Sequence, residues 1–419
     1  MRLATATAIA AVAVLTACTK ANLLPGTASA SCRPHPQQSF SSILQDATSA
    51  PNATSLPRVA TAAKLGLWPR HGPSARVCGD VRAGFARCQA WLRTDIQGLL
   101  GPNTPGGYAP SDLQTAYGLT TDSQTTGGGQ TVAIVDAYDD PNVESDLNVY
   151  RSQYGLPACT VSNGCFTKQK YTSQTNAGWA AEESVDVEMV SAICPKCKIL
   201  LVEAASTSVA DLSSAEQYAT SQADYVSNSW STNEGTETYD DVYEDGCGAI
   251  VASTGDHGYN STAQWPAILP SVVGVGGTSL TAISPRAETA WLRAGSGCSK
   301  IYGKPSFQSG SNTGCSMRAQ ADVSADADPD TGVAIYDTFD RHGWLVFGGT
   351  SVATPIVASV FALAGYASAN PAGNLYSHTS SLNDVISGSN GACGAPLCVA
   401  GQGWDGPTGL GTPNSSGAF

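Results

Sequence analysis

Residues 131–138 read TVAIVDAY, a short apolar run in which apolar and polar residues do not alternate. A run of this kind predicts a β-strand that is buried on both faces, as in a parallel sheet. Similar runs follow, separated by helical patterns: KILLVEA at 198–204, DYVSNSW at 224–230, AIVASTG at 249–255 and SVVGVGGT at 271–278. The sequence therefore predicts an α/β domain with a mainly parallel central sheet and helices between the strands.

The composition limits the kinds of partner that the protein can have. The chain has 419 residues, of which 13% are charged, and its formal net charge is −13. A negative net charge opposes binding to nucleic acids and to anionic membrane surfaces, because both are negatively charged. We therefore expect no nucleic-acid partner.

The N-terminal sequence predicts export. Residues 1–30 combine one arginine, an apolar stretch too short for a convincing membrane span, and small residues at Ala28–Ala30, which is the pattern of a signal peptide. Two alternatives stay open: cleavage after Ala30, or lipid attachment at Cys18 in the lipobox-like sequence LTAC. The first predicts a secreted, extracellular protein and the second a lipoprotein at the cell surface. Without that lipid we expect no stable membrane partner.

Residues 31–105 are rich in Pro, Ser and Ala and predict a short leader or propeptide-like segment, with a helix near Arg82–Arg93. The domain boundary is expected near Gly106, so that a single domain spans residues 106–419.

The chain has thirteen cysteines. Several lie close together in the sequence: Cys78 and Cys88, Cys159 and Cys165, Cys194 and Cys197, Cys298 and Cys315, and Cys393 and Cys398. This spacing indicates short-loop disulfides formed in an oxidising compartment, although spacing alone does not fix which cysteines pair.

The sequence GGTSVATP at 348–355 places Ser351 at the start of a predicted helix that runs to Gly365. Backbone N–H groups and the helix dipole at such a position favour developing negative charge, so Ser351 is a candidate nucleophile. The alternative is an ordinary helix-capping serine. The string resembles the nucleophile signature of the subtilisin clan of serine peptidases, but none of the five histidines has the sequence context of a subtilisin base.

The helical segment 178–193 offers a different base. Glu182 and Asp186 are four residues apart, so their carboxyl groups share one helix face, along an apolar stripe. Acids on a face that points inward are costly unless they are protonated, hydrogen-bonded or functional. We therefore predict that Glu182 and Asp186 are functional, and that Glu183 and Glu188 lie on a solvated face.

Four motifs, in order, resemble the sedolisins or serine-carboxyl peptidases, a family with a subtilisin-like fold. They are Glu182 with Asp186, Val187 and Glu188; ASTGDHG at 252–258; WPAILPSVVGVGGT at 265–278; and GGTSVATP at 348–355. The resemblance covers roughly Gly106 to Pro413. It implies a subtilisin-like α/β fold, with a mainly parallel central sheet flanked by helices on both faces.

The resemblance also implies a role for each catalytic side chain. Ser351 would be the nucleophile, Glu182 the base, Asp186 the group that orients the base, and Asp256 a neutral donor to the oxyanion. Because a glutamate accepts a proton at a pH where histidine is already protonated, this set implies a secreted, acid-active endopeptidase. We expect protein or peptide substrates and a monomer.

A calcium site is implied near the C-terminus. Asp384 and Asp405 would supply carboxylates and Val385, Gly401 and Gly403 would supply carbonyl oxygens for one structural Ca²⁺, which prefers oxygen ligands.

Two alternative functions stay open. One is a subtilisin-type serine peptidase that uses an unrecognised histidine, and the other is a catalytically silent secreted scaffold of the same fold. Sedolisins usually carry a longer propeptide than residues 31–105 provide, so the autoprocessing site cannot be identified from the sequence.

Overall fold

The computed structural model describes residues 72–96, 105–235, 238–244, 248–260, 262–366 and 368–419. The strands are, in chain order, β1 (Ser74–Arg76), β2 (Arg87–Cys88), β3 (Trp91–Arg93), β4 (Thr131–Ala137), β5 (Phe166–Lys170), β6 (Lys198–Ala204), β7 (Tyr225–Asn228), β8 (Trp230–Asn233), β9 (Ala249–Ser253), β10 (Gln264–Trp265), β11 (Val273–Ile283), β12 (Arg286–Ala290), β13 (Cys298–Gly303), β14 (Met317–Ala319), β15 (Val323–Asp326), β16 (Val333–Asp337), β17 (Gly343–Gly348), β18 (Leu382–Asn383) and β19 (Thr412–Pro413).

The helices are α1 (Pro110–Ala116), α2 (Thr120–Thr125), α3 (Val143–Gln153), α4 (Ala177–Ile193), α5 (Val209–Gln222), α6 (Thr350–Ala364) and α7 (Pro371–Ser377). The predicted signal peptide, its Cys18 alternative and residues 31–71 of the predicted leader lie outside the described residues.

The largest sheet has eight strands and is mostly parallel. Its order is β12-β11-β9-β7-β4-β6-β5, and β15 also pairs with β11. Every neighbouring pair from β11 to β5 is parallel, as is the β15 pair, and only β12 joins in the antiparallel sense. The five strands predicted from the sequence are therefore confirmed as β4, β6, β7, β9 and β11.

Helices cover both faces of this sheet. Val132 and Ile134 of β4 belong to one apolar core, which also contains the apolar residues of α4 and α6. Ala133 and Val135, which alternate with them along β4, belong to a second core with α5. Because successive strand residues point to opposite faces, one continuous apolar run supplies both cores.

The predicted helix near Arg82–Arg93 is wrong, because this segment forms β2 and β3. Arg87 and Cys88 pair with β8, and Trp91 and Leu92 pair with β17. These partners are distant in the sequence, so local helical propensity gives way to tertiary pairing.

Five disulfides join the five cysteine pairs that lie close together in the sequence. Within the described ranges, the structure contains no helix that is both long enough and apolar enough to span a membrane.

Candidate active site

The nucleophile candidate lies where β17 turns into α6. The turn needs a glycine at Gly349, because its φ is +103° and a Cβ there would come within 1.9 Å of the Gln89 carbonyl oxygen. Ser351 follows in the first turn of α6 and is fully buried. A short turn without a side chain thus lets another backbone segment pass directly over the serine.

The acid pair lies on α4, which packs against α6. The helix begins after Asn176, whose side chain accepts hydrogen bonds from the amides of Gly178 and Trp179. Glu182 and Asp186, one turn further along, are completely buried. The helix is buried all round rather than amphipathic, so the prediction that Glu183 and Glu188 are solvated is wrong: both are 0% exposed.

The Ser351 hydroxyl lies beside Glu182 but is bonded elsewhere. Its O–H group donates to the Ser229 carbonyl oxygen at 3.0 Å, and its oxygen accepts from the Gln89 amide at 3.1 Å. Burial and then Asp186 raise the pKa of Glu182 well above its usual range, while the Ser351 hydroxyl and the Ala90 backbone act in the opposite direction. Neither Glu182 oxygen has a hydrogen bond of full geometry, yet the Ser351 hydroxyl is close enough to lower the pKa of Glu182, so serine and glutamate are direct neighbours.

Asp186 is held by a residue that the sequence analysis did not single out. Its Oδ1 accepts a hydrogen bond from the Ser229 hydroxyl at 2.8 Å, and its Oδ2 has no partner. Burial raises the pKa of Asp186 well above its usual range, and the Ser229 bond opposes that rise. Ser229 thus contacts both halves of the site, through its hydroxyl to Asp186 and its carbonyl to Ser351. The only sequence signal for it was its position at the end of a predicted strand.

Asp256 contacts Thr350, the residue that precedes Ser351 at the start of α6. Its Oδ1 accepts hydrogen bonds from the Thr350 amide at 3.0 Å and the Thr350 hydroxyl at 2.7 Å. Its Oδ2 has no partner and lies beside Gly349, 3.0 Å from where a Cβ would be. Burial raises the pKa of Asp256 to about 7, against the effect of the Thr350 bonds. At acidic pH Asp256 is therefore mostly protonated, and its Oδ2 is free to carry the proton.

A backbone segment that we name the cleft strap, residues 86–93, covers this group. Its N-terminal half pairs antiparallel with β8, and its C-terminal half pairs with β17. Between the two, the Gln89 amide reaches both the Ser229 carbonyl at 3.1 Å and Ser351 Oγ at 3.1 Å. Extended peptides bind to many proteins in a similar way, by pairing as an added strand with the edge of a sheet. The strap therefore lies where an extended peptide could reach Ser351.

Charged side chains join the strap to the rim of the site. Arg87 of the strap makes an ion pair with Asp80 at 2.5 Å and contacts the ring of His257. Burial and then Arg87 lower the pKa of His257 to about 4. Above that pH His257 is neutral, so it carries no positive charge that would favour the ionised form of Asp256. His257 is exposed, and its ring contacts Arg87 of the strap.

The residues of the predicted calcium site come together in one pocket. Asp384, Gly401, Gly403 and Asp405 line it, whereas Val385 is buried beside it. Asp384 Oδ2 accepts from the Gly403 amide at 2.9 Å, and Asp405 Oδ2 accepts from the Gly401 amide at 3.2 Å. Burial chiefly, and Asp384 in a smaller part, raise the pKa of Asp405 to about 7.

These residues fit a calcium ion. Two neighbouring carboxylates repel each other, and a cation between them would remove that repulsion. Among the described residues, no three His, Cys, Asp or Glu side chains cluster as a metal site, so an ion here would also need backbone carbonyl oxygens, which Ca²⁺ accepts.

Comparisons with known proteins identify the family of the chain. The sequence profile of the subtilase family matches residues 174–392. Kumamolisin from Bacillus sp. (strain MN-32) is 30% identical over 355 residues, covering 74% of this chain and 62% of the relative. Sedolisin from Pseudomonas sp. (strain 101) is 38% identical over 177 residues, which are 37% of this chain and 29% of that protein. The chain thus spans less than two thirds of the length of these relatives.

The fold comparison gives the same result. The solved structure of Pseudomonas sedolisin, a serine-carboxyl proteinase in complex with pseudo-iodotyrostatin, superimposes with a TM-score of 0.64 at 25% identity. The superposition covers 74% of this chain and 96% of that chain. The predicted subtilisin-like α/β fold is therefore confirmed, and the chain belongs to the subtilase family and, within it, to the sedolisins.

Proposed function

We propose that the protein is an acid-active serine-carboxyl endopeptidase that hydrolyses peptide bonds of proteins. The observation that carries this proposal is the meeting of Ser351, the Glu182–Asp186 pair and Asp256 at one buried point. A serine close to a carboxylate base and to a neutral acid has the parts that acyl transfer requires.

The reaction follows from these positions. Ser351 Oγ attacks the carbonyl carbon of the substrate while its proton passes to Glu182, and Asp256 Oδ2–H donates a hydrogen bond to the oxygen that becomes negative. Glu182 then returns the proton to the leaving amine, which breaks the peptide bond and leaves an acyl-enzyme. A water molecule repeats the two steps, releases the acid product and restores the serine.

The structure as it stands represents a latent form in this proposal. Ser351 is hydrogen-bonded to Gln89 and Ser229, and the buried Glu182 holds a proton that it must lose to act as a base. Displacing the strap would hydrate Glu182, lower its pKa and free the serine hydroxyl. Substrate access therefore requires residues 86–90 to move.

The proposal also covers a bound metal ion, the substrates, the oligomeric state and the location of the protein. We propose that one Ca²⁺ bound by Asp384, Asp405 and carbonyl oxygens of Val385, Gly401 and Gly403 would tie together the C-terminal loops. The substrates are proteins or peptides, the enzyme acts as a monomer, and the chain is secreted, or lipid-anchored at the cell surface if Cys18 is modified.

A histidine-dependent mechanism has less support. Of the histidines in the described part of the chain, His257 is next to Asp256, yet its ring contacts Arg87 and makes no hydrogen bond to Ser351. His342 and His378 likewise make no hydrogen bond to Ser351.

The test is hydrolysis of denatured casein by purified protein, after incubation at pH 4, assayed between pH 2 and 8. Wild type should cleave in acid after a lag, and Ser351→Ala and Glu182→Gln should each lower the rate at least about 10³-fold. Glu216→Gln is the matched control, because Glu216 is also a buried acid but lies on α5. Folded wild-type protein without activity would favour the silent scaffold, and an active Glu182→Gln would favour the subtilisin-type alternative.

A further inference from the structure

A second group of buried acids lies directly behind the catalytic pair. Asp136 on β4, Glu183 on α4 and Glu203 on β6 are each 0% exposed, and we name these three the carboxyl row. Asp136 and Glu203 are register partners on adjacent parallel strands. None of the three takes part in the proposed reaction.

The row connects the catalytic pair to the surface. At one end, Asp136 is close enough to Asp186 and Glu182 for their charges to raise its pKa, after the larger effect of burial. At the other end, Glu203 forms an ion pair with Lys168 at 2.6 Å and accepts from the Asp140 amide at 3.0 Å. Lys168 is partly exposed, so the row runs from the base to solvent.

Protons held within the row can satisfy its oxygens. Both oxygens of Asp136, both of Glu183 and Oε2 of Glu203 have no hydrogen-bond donor among the described residues. Glu183 and Glu203 are within hydrogen-bonding contact, and two carboxyl groups can bond only if one carries the proton. Burial, then Glu203 and Asp136, raise the pKa of Glu183 well above its usual range. Burial also raises the pKa of Glu203, but Lys168 pairs with Glu203 and opposes that rise, so the negative charge lies on Glu203 and the shared proton on Glu183.

Charged groups from several elements lie near the row or near the Glu182 base. They are Lys168 and Lys170 from β5, Asp139 and Asp140 from the loop after β4, Glu182 and Asp186 from α4, and Asp256 from the loop after β9, which acts on Glu182. Lys168 is shared between Asp139 and Glu203, and Lys170 pairs with Asp139. The row therefore contains one anchored negative charge, on Glu203, with neutral acids between it and the catalytic pair.

We propose that Glu203 and Lys168 are remote positioning residues that set the proton affinity of the Glu182 base through the carboxyl row. This inference rests on the proposed function. The charge on Glu203 acts on Asp136 across the β4–β6 register and on Glu183 through their shared proton. Those two neutral acids pass the effect to Asp186 and Glu182, because charges in a buried medium act over longer distances than in water.

Two substitutions should act in opposite directions. Glu203→Gln removes the negative charge and leaves Lys168, so the base should ionise at lower pH and the acid limb of kcat/KM should move down by about half to one pH unit. Lys168→Met leaves the charge of Glu203 unbalanced, so the acid limb should move up. At a fixed pH on that limb, each change corresponds to a three- to ten-fold effect on rate, and KM should stay unchanged.

The matched control is Glu188→Gln. Glu188 is equally buried on the same helix but bonds to the Tyr336 amide, away from the row. Its substitution should leave the acid limb in place. Shifts of the same sign in Glu203→Gln and Lys168→Met, or a shift in Glu188→Gln of the same size, would overturn the proposal.

A measurement without turnover separates this inference from the proposed function. In Ser351→Ala protein, carbon NMR of labelled Asp and Glu carboxyls reports their titration directly. The proposal predicts that Glu203→Gln lowers the pKa of Asp136, and that Glu188→Gln leaves it unchanged. If wild type shows no peptidase activity while the pKa of Asp136 shifts as stated, the proposed peptidase function is wrong and the coupling through the carboxyl row is supported. An unchanged pKa of Asp136 would overturn that coupling.

Discussion

The pH dependence of Asp256 separates the proposed chemistry from its alternatives. Its pKa of about 7 means that nearly all molecules hold the Oδ2 proton at pH 5 but only about a tenth do at pH 8. An ionised Asp256 would repel the oxyanion instead of stabilising it. Wild-type kcat/KM should therefore fall about ten-fold between pH 5 and pH 8, and ten-fold more for each further unit.

Asp256→Asn should remove this alkaline decrease. The amide is nearly isosteric, its oxygen can keep the two Thr350 bonds, and its N–H₂ donates at every pH. Asp256→Ala removes the donor altogether and should cost about 10² to 10³ in kcat at pH 5. The assay is cleavage of an internally quenched peptide from pH 3 to 9, with circular dichroism to confirm that each variant is folded.

The matched control for this experiment is Asp337→Asn. Burial raises the pKa of Asp337 to about 6, but its carboxyl accepts from the Phe339 amide at 2.8 Å, outside the site. The control should keep the alkaline decrease. A folded Asp256→Asn that still loses activity above pH 7 like wild type, or an Asp256→Ala within a few-fold of wild type at pH 5, would refute the assignment.

Three further predictions concern stability and latency. Burial raises the pKa of Asp140 to about 7 and of Glu216 to about 8, so the folded state holds protons that the unfolded chain releases near pH 4. Between pH 4 and its folded-state pKa, each group should lower the free energy of unfolding by about 1.4 kcal/mol per pH unit, and Tm should fall from pH 4 to pH 7. Replacing both Cys78 and Cys88 by serine removes the disulfide that ties Cys88 of the strap to the preceding segment and should shorten the lag before casein hydrolysis; an unchanged lag would count against strap displacement as the limiting step. Removing Ca²⁺ with EGTA should lower Tm by several degrees in wild type and by much less in Asp405→Asn, and equal shifts would exclude an ion there.

Some of the fold and site could be predicted because the signals are local. Strands β4 and β6 are continuous apolar runs, so their burial on both faces can be inferred from adjacent residues in the sequence. The i, i+4 spacing of Glu182 and Asp186 and the string around Ser351 similarly depend on short windows of sequence.

What could not be predicted depends on distant partners. Strands β2 and β3 have two and three residues, too few for any periodicity, and exist because Cys88 meets Trp230 and Trp91 meets Gly348. The burial of Glu183 likewise depends on β4 and β6 packing behind α4. In sequence, a helix with acids on several faces resembles a solvent-exposed helix. Its burial on all sides is apparent only from the elements that pack around it.

The position of β3 has a practical consequence for producing the protein. Strand β3 lies between β1 and β17 in a four-stranded sheet. Ala90, Trp91 and Leu92 form part of the larger apolar core. A recombinant chain that begins at Gly106 would leave β17 as an uncovered edge beside newly exposed apolar surface, which favours intermolecular strand pairing and aggregation. Expression boundaries placed before residue 72 avoid that hazard.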